Sequence, residues 1–201
     1  MDALEAIRTC TAMRYLKPDP VPEPLIRQVL EHATCASSPG NSQGWDFVVV
    51  RDAAKRAAIG KLVGEKFRAF MPDPASEPDP VRQRMLRGAR HLVERLGQAP
   101  VLIFVCGRPV YPPQKPSSDW IPSTVYPAAQ NLIVAARALG LGTVFTTFHM
   151  FCEAPIRALL GLPDTHRIQV TIPLGFPEKK FGPVKRRPLD EVVHWDRFEK
   201  R

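Results

Sequence analysis

The sequence contains no Cys-x-x-Cys pair, and its four cysteines, Cys10, Cys35, Cys106 and Cys152, lie far apart. Such spacing argues against a disulfide framework and a structural zinc site, and implies reduced thiols in a cytoplasmic protein. No stretch approaches the ~18 consecutive apolar residues that a membrane span needs. The opening "MDALEAIRTC" carries two acids and no apolar run of the secretory kind. The expected protein is therefore cytoplasmic, without a membrane partner.

Phosphate-binding glycine motifs are also missing. Neither G-x-G-x-x-G after a strand nor G-x-x-x-x-G-K-[ST] occurs, and "GLG" at 140–142 is only a fragment, so no Rossmann or P-loop site is indicated. There is no G-x-S-x-G, and Ser37, Ser38 and Ser42 have no evident base. The one close His/Cys pair, His149 and Cys152, lacks the further ligands of a zinc site, so no metal is expected. Asp73, Glu77 and Asp79 sit in a proline-rich connector, where acids serve solvation. With no self-sufficient catalytic constellation, the chemistry points to an imported cofactor.

What is present suits one domain spanning 1–201: 201 residues, 44% hydrophobic and 24% charged. The net charge of +8, from 28 Lys and Arg against 20 Asp and Glu, suits nucleic acid, a membrane surface or small anions. Arg84, Arg87, His91 and Arg95 share one face of a helix expected over 80–97. That face has no interleaved aromatics, so it reads as solvated and no specific nucleic acid is expected.

The 22 prolines gather in two connectors, "MPDPASEPDP" at 71–80 and "RPVYPPQKPSSDWIP" at 108–122. The second is too long for a simple turn and is either a lid over a site or a disordered excursion. Leu25, Ile26, Val29, Leu30 and Ala33 fall on one helical stripe. Val81, Met85, Ala89, Leu92 and Leu96 form the apolar stripe of the 80–97 helix. From 127 to 139 the run "PAAQNLIVAARAL" is apolar nearly all round and opens with proline, which predicts a buried helix, with another subunit as one surface it can be buried against. Strands are expected at 45–50, 101–106, 143–147 and 167–175. The fold class is α+β: a central mixed or antiparallel sheet wrapped by helices, with an irregular charged C-terminal arm.

Three stretches, "MRYLKPDPVPEPLIRQVLEHATCASSPGNSQGWDFVVV", "PAAQNLIVAARALGLGTVFTT" and "IPLGFPEKKFGPVKRRPLDEVVHWDRF", resemble in order and spacing the FMN-dependent nitroreductase-like family. The resemblance covers most of the chain; the segment 52–98 and the second connector match poorly. It implies a homodimer with composite sites, FMN as cofactor, NADH or NADPH as reductant, and a small-molecule acceptor such as a nitroaromatic, quinone or enone. Flavin-dependent dehalogenases and a flavin-fragmenting enzyme share the fold, and a non-catalytic flavin- or nucleic-acid-binding protein is the rival from another class.

The family's R-R-S-x-R-x-F, which holds the FMN phosphate, is here Cys10, Thr11, Ala12, Met13, Arg14, Tyr15, Leu16. Only Arg14 is kept, with Arg8 one helical turn away as an added candidate. The family's P-S-x-x-N-x-Q-P-W is matched by Ser38, Asn41, Gln43 and Trp45, while Ser37 and Gly44 replace both prolines, so a more flexible loop is expected. Ser38, Asn41 and Gln43 are implied to meet the flavin of the partner subunit, and Trp45 to be core. "GLGTVFTTF" places Phe145, Thr146 and Thr147 by flavin N5, through backbone amides. In the tail, Lys185 and Arg187 match phosphate ligands, and Arg186 is expected to face solvent. Tyr111 and Trp120 of the second connector are the candidates for substrate selection.

Overall fold

A computed structural model describes residues 1–198 of the chain. Its frame is a four-stranded sheet of β1 (Trp45–Val50), β2 (Val101–Gly107), β3 (Gly142–Thr143) and β4 (Arg167–Gly175). The order is β1-β2-β4-β3 and every pairing is antiparallel. The expectation of a mixed or antiparallel sheet thus resolves to the antiparallel form, within an α+β fold.

β2 runs through the centre, and all seven of its residues are buried. Because side chains alternate along a strand, Val101, Ile103 and Val105 enter one core while Leu102, Phe104 and Cys106 enter another. The first core is closed by helices α2 (Glu23–Ala33) and α5 (Ile121–Ala138). The second is closed by α3 (Ala53–Arg68), α4 (Pro80–Arg95) and α6 (Glu153–Leu160). A bulge opposite Val105 and Cys106 skips Gln169 on β4 and puts Ile168 in the second core, although Val170 belongs to the first. Fully burying a side chain such as Phe104 contributes about 2–3 kcal/mol.

Helix starts follow side-chain capping. Asp2 caps α1 (Ala3–Thr9) by accepting from the Glu5 amide at 2.9 Å. Asp52 and Asp79 do the same for α3 and α4, at 2.7 and 3.0 Å.

Three expectations need correction. The buried helix begins at Ile121, six residues before Pro127, which lies inside it; Pro122 takes the first-turn position. Burial of Ile121, Thr124 and Val125 offsets the ~3 kcal/mol cost of an internal proline. This helix packs on its own sheet and on α2. The strand expected over 143–147 ends at Thr143, and beyond it only Thr146 bridges Thr171.

The third correction concerns α4. Its stripe is buried only in the C-terminal half: Val81 and Met85 are 66% and 49% exposed, while Gly88, Leu92 and Val93 face the core. α3 had no apolar pattern to announce it. It seats itself through glycine, since a Cβ on Gly60 would lie 2.6 Å from the Gly97 amide nitrogen.

Past β4 the chain forms the expected irregular arm. It runs back along residues 8–17: Lys17 donates its amide to the Phe176 carbonyl, Glu178 to that of Tyr15, and Val184 to that of Arg8, at 2.8, 3.0 and 2.8 Å. Lys179 lies over the Tyr15 ring and Arg137 over that of Phe181. No helix among the described residues is long and apolar enough to cross a membrane.

Candidate functional site

The segment after α1 is laid along the sheet edge. Met13 donates its amide to the Thr143 carbonyl at 2.8 Å, and its side chain sits where a Cβ on Gly142 would lie 2.6 Å from Met13 Cγ. The next side chain in an extended segment points the other way. Arg14 accordingly crosses to α4, over Gly88, and borders an open hollow of about 560 Å³.

Three parts of the chain wall that hollow: Cys10, Thr11, Ala12 and Arg14, the exposed face of α4 with Val81, Arg84 and Met85, and Pro183 to Arg186 of the arm. Four of its lining residues are cations and none is an acid. Burial pulls the Arg14 pKa below its usual value, with the neighbouring Tyr15 opposing, yet a guanidinium remains charged at neutral pH. Among the described residues Arg14 has no hydrogen bond or ion pair. A half-buried, unpartnered cation is costly alone and is relieved by an anion.

The structure thus brings Arg14 and Lys185 to one hollow. Arg186, expected to face solvent, lines it too: its Nη1 folds back onto the Lys185 carbonyl at 2.8 Å. Arg187 and the side chain of Arg8 are not among the lining residues, and Arg8 contributes instead the carbonyl that holds Val184. Arg84, read from the sequence as part of a solvated face, borders the hollow, and His91 stacks on Tyr15 with centroids 4.1 Å apart.

The loop before β1 is a separate cluster. Ser38 Oγ accepts from the Gln43 amide at 3.1 Å, and Gln43 Nε2 donates to Asn41 Oδ1 at 3.1 Å. Gly40, Asn41 and Gln43 all hold positive φ, an uncommon conformation for the last two. The expected flexibility at Gly44 is not found. Gly44 is buried and clamped: a Cβ there would meet Val110 Cγ2 at 2.4 Å, and its carbonyl accepts from the Arg108 amide. Trp45 is core, as expected. None of Ser38, Asn41 or Gln43 lines the cationic hollow of its own chain.

Tyr111 packs on this loop, its Cε2 3.0 Å from where a Gly40 Cβ would stand, and meets Trp120 edge to face at 5.5 Å. The second connector is therefore docked on the loop through its own aromatics, not a free excursion. Phe145 is 41% exposed and meets Tyr126 edge to face. Thr146 donates both its amide and its hydroxyl to the Thr171 carbonyl, at 3.1 and 2.8 Å. The Thr147 amide has no partner among the described residues.

Behind this strand end lies His149, 1% exposed, with Nδ1 2.9 Å from Thr171 Oγ1 and Nε2 3.1 Å from the Ile168 carbonyl. Its role is structural. Burial pushes the Cys106 thiol up to about 12 and raises that of Cys152, so neither supplies a thiolate. No group of three or more metal-binding side chains occurs among the described residues.

Comparison with known proteins gives this geometry a context. Residues 7–176 match the model of the nitroreductase family. The chain is 32% identical to an NADH dehydrogenase of Thermus thermophilus over 97% of this chain and 96% of that protein. It is 27% identical to human iodotyrosine deiodinase 1 over 94% of this chain and 66% of that one. Among solved structures, an iodotyrosine deiodinase bound to FMN and 3-iodo-L-tyrosine superposes with a TM-score of 0.79 at 21% identity, covering 98% of this chain and 100% of that one. At that identity the likeness speaks for the fold.

Proposed function

The chain belongs to the nitroreductase family, and from that premise we propose that it is a cytoplasmic, single-domain, homodimeric FMN oxidoreductase that takes its electrons from NADH or NADPH. The observation that carries the reading is Arg14: half-buried and unpartnered, it borders a hollow lined by cations from segments far apart in sequence. A phosphate dianion fits that donor set. The chemistry FMN supplies when bound is hydride uptake from the nicotinamide and reduction of an oxidised acceptor such as a nitroaromatic, quinone or enone.

The chain's own residues do the holding and shaping. Arg14 and Lys185, with Arg186 in the place expected for Arg187, grip the phosphate. The free amide of Thr147 would be the group to hold N5, while Thr146 anchors that strand end on Thr171. Phe145 lies alongside. Ser38, Asn41 and Gln43 supply donors and acceptors suited to the polar rim of an isoalloxazine. As the family resemblance implies, these three serve the site of a partner subunit. Tyr111 and Trp120, docked on the same loop, flank the acceptor and select it.

Dehalogenation of a halogenated phenol is a second reading, supported by the similarity to iodotyrosine deiodinase 1. One preparation tests both. Purified protein should show a flavin absorbance spectrum and oxidise NADH or NADPH when given a quinone or nitroaromatic. Halide release from an iodophenol without quinone turnover would select the second reading, and colourless protein that binds no added FMN would reject both.

A further inference from the structure

Four of the five arginines on α4 are held by neighbours. Arg82 Nε lies 3.0 Å from the Glu77 carboxylate, and Arg87 donates to Gln83 Oε1 at 2.8 Å. Arg90 pairs with Asp73 at 3.6 Å and donates to the Pro72 carbonyl, and Arg95 donates to Gln98 Oε1 at 2.9 Å. The Arg84 side chain has no hydrogen bond or ion pair among the described residues, and it is the α4 arginine that borders the hollow shared with Arg14 and Lys185.

Its helical neighbours explain what kind of anion suits it. Val81, Arg84 and Met85 stand at i, i+3 and i+4, one face of the helix. The first and last are large apolar side chains left exposed on the hollow's wall. A bare inorganic anion has no use for them. A phosphate monoester does, its charge meeting the arginines while its organic arm covers Val81 and Met85.

Across the hollow stand Cys10, Thr11 and Ala12, three lining residues without charge. They occupy the stretch where the family resemblance places two arginines and a serine. We propose that Arg84 grips the phosphate of FMN from the α4 side, supplying the cation that Cys10, Thr11 and Ala12 do not. The inference rests on the FMN reading above. It makes α4 a wall of the cofactor site, so that the phosphate is held by three separate parts of the chain.

The test is a pair of titrations on flavin-free protein, following fluorescence quenching of FMN and of riboflavin, which lacks the phosphate. Arg84→Ala should weaken FMN binding roughly tenfold or more, the loss of a charge-assisted hydrogen bond, and leave riboflavin affinity unchanged. Arg84→Lys should recover part of the loss. Arg87→Ala, at an arginine outside the hollow, should bind both flavins as the parent does. Because Arg84 and Arg87 are both exposed, melting temperature should be nearly unaltered in all three variants.

If the parent protein prefers FMN to riboflavin but Arg84→Ala keeps that preference in full, the role of Arg84 is overturned and the FMN site stands. If the parent shows no preference, the phosphate site itself is overturned and Arg84 with it. If Arg84→Ala leaves FMN affinity intact but raises the KM for NADPH and not for NADH, the guanidinium belongs to the nicotinamide 2′-phosphate and the proposal fails.

Discussion

Arg14 lies over Gly88 so closely that a Cβ added to the glycine would stand 3.1 Å from Arg14 Cδ. In an exposed helix Gly→Ala stabilises by roughly 0.5–1 kcal/mol, but here the methyl group must push the arginine stem aside by a few tenths of an ångström. Gly88→Ala should therefore separate two quantities that usually move together. Its melting temperature should not fall. Its affinity for FMN should drop about fivefold, if displacement of Arg14 forfeits about 1 kcal/mol of its bond to the phosphate. Undiminished FMN affinity would show that Arg14 adjusts without loss.

The arm makes a comparison of neighbours possible. Arg186 lines the hollow and Arg187 does not, so Arg186→Ala should weaken FMN binding more than Arg187→Ala, by roughly tenfold where a charge-assisted hydrogen bond is lost. Flavin titration of the two variants decides it. The reverse order would restore the register expected from the sequence.

His149 makes folding stability depend on pH. Burial lowers its folded-state pKa, only partly opposed by the Glu153 charge and the Ile168 carbonyl. Between that value and an unfolded pKa of ~6.5 the unfolded chain binds more protons, so stability is fully present above about 6.5 and declines as pH falls below it. His91, lowered mainly by burial, acts in the same direction. Urea titrations at pH 7.5 and 5.5 should show the decline. His149→Gln should be less stable at the higher pH, because the hydroxyl of Thr171 and the Ile168 carbonyl lose partners, yet show a shallower slope.

A composite site predicts complementation. An Arg14/Arg186 double-alanine variant and a Ser38/Asn41 double-alanine variant should each be inactive. Refolded together in equal amounts, random pairing makes about half the dimers mixed, each with one intact site, so roughly a quarter of parental activity should return. Mixed dimers that stay colourless and inactive would place all four residues in one subunit's site.

How much of this could be read from the residues varies with the signal each part gives. β2 was plain because its seven residues are continuous and apolar, as a strand buried on both faces must be. α3 was hidden because it packs through Gly60 as well as through Ile59 and Val63, and glycine carries no hydrophobic signal. Pro127 suggests a helix start that lies at Ile121, since a proline's local preference does not report the burial that overrides it.

In the site, Arg14 and Lys185 could be found through their motifs, whereas Arg84 had none. Its significance is that neighbouring acids and amides claim the other four arginines of α4, a relation visible only once side chains have positions. The exposed Val81 and Met85 left a trace, but a stripe drawn by periodicity reads as core along its whole length.

The bond from the Val184 amide to the Arg8 carbonyl joins the arm to α1, far earlier in the chain. On the ribosome both cores can collapse before residues 183–186 emerge, for neither uses them. The cationic hollow cannot. On the FMN reading, the phosphate can be captured only after the arm has docked, and protein clipped within the arm should keep its sheet and helices while losing its grip on flavin. Colour then becomes a measure of intact length, and a protease that trims the arm becomes a way to strip cofactor without unfolding the protein.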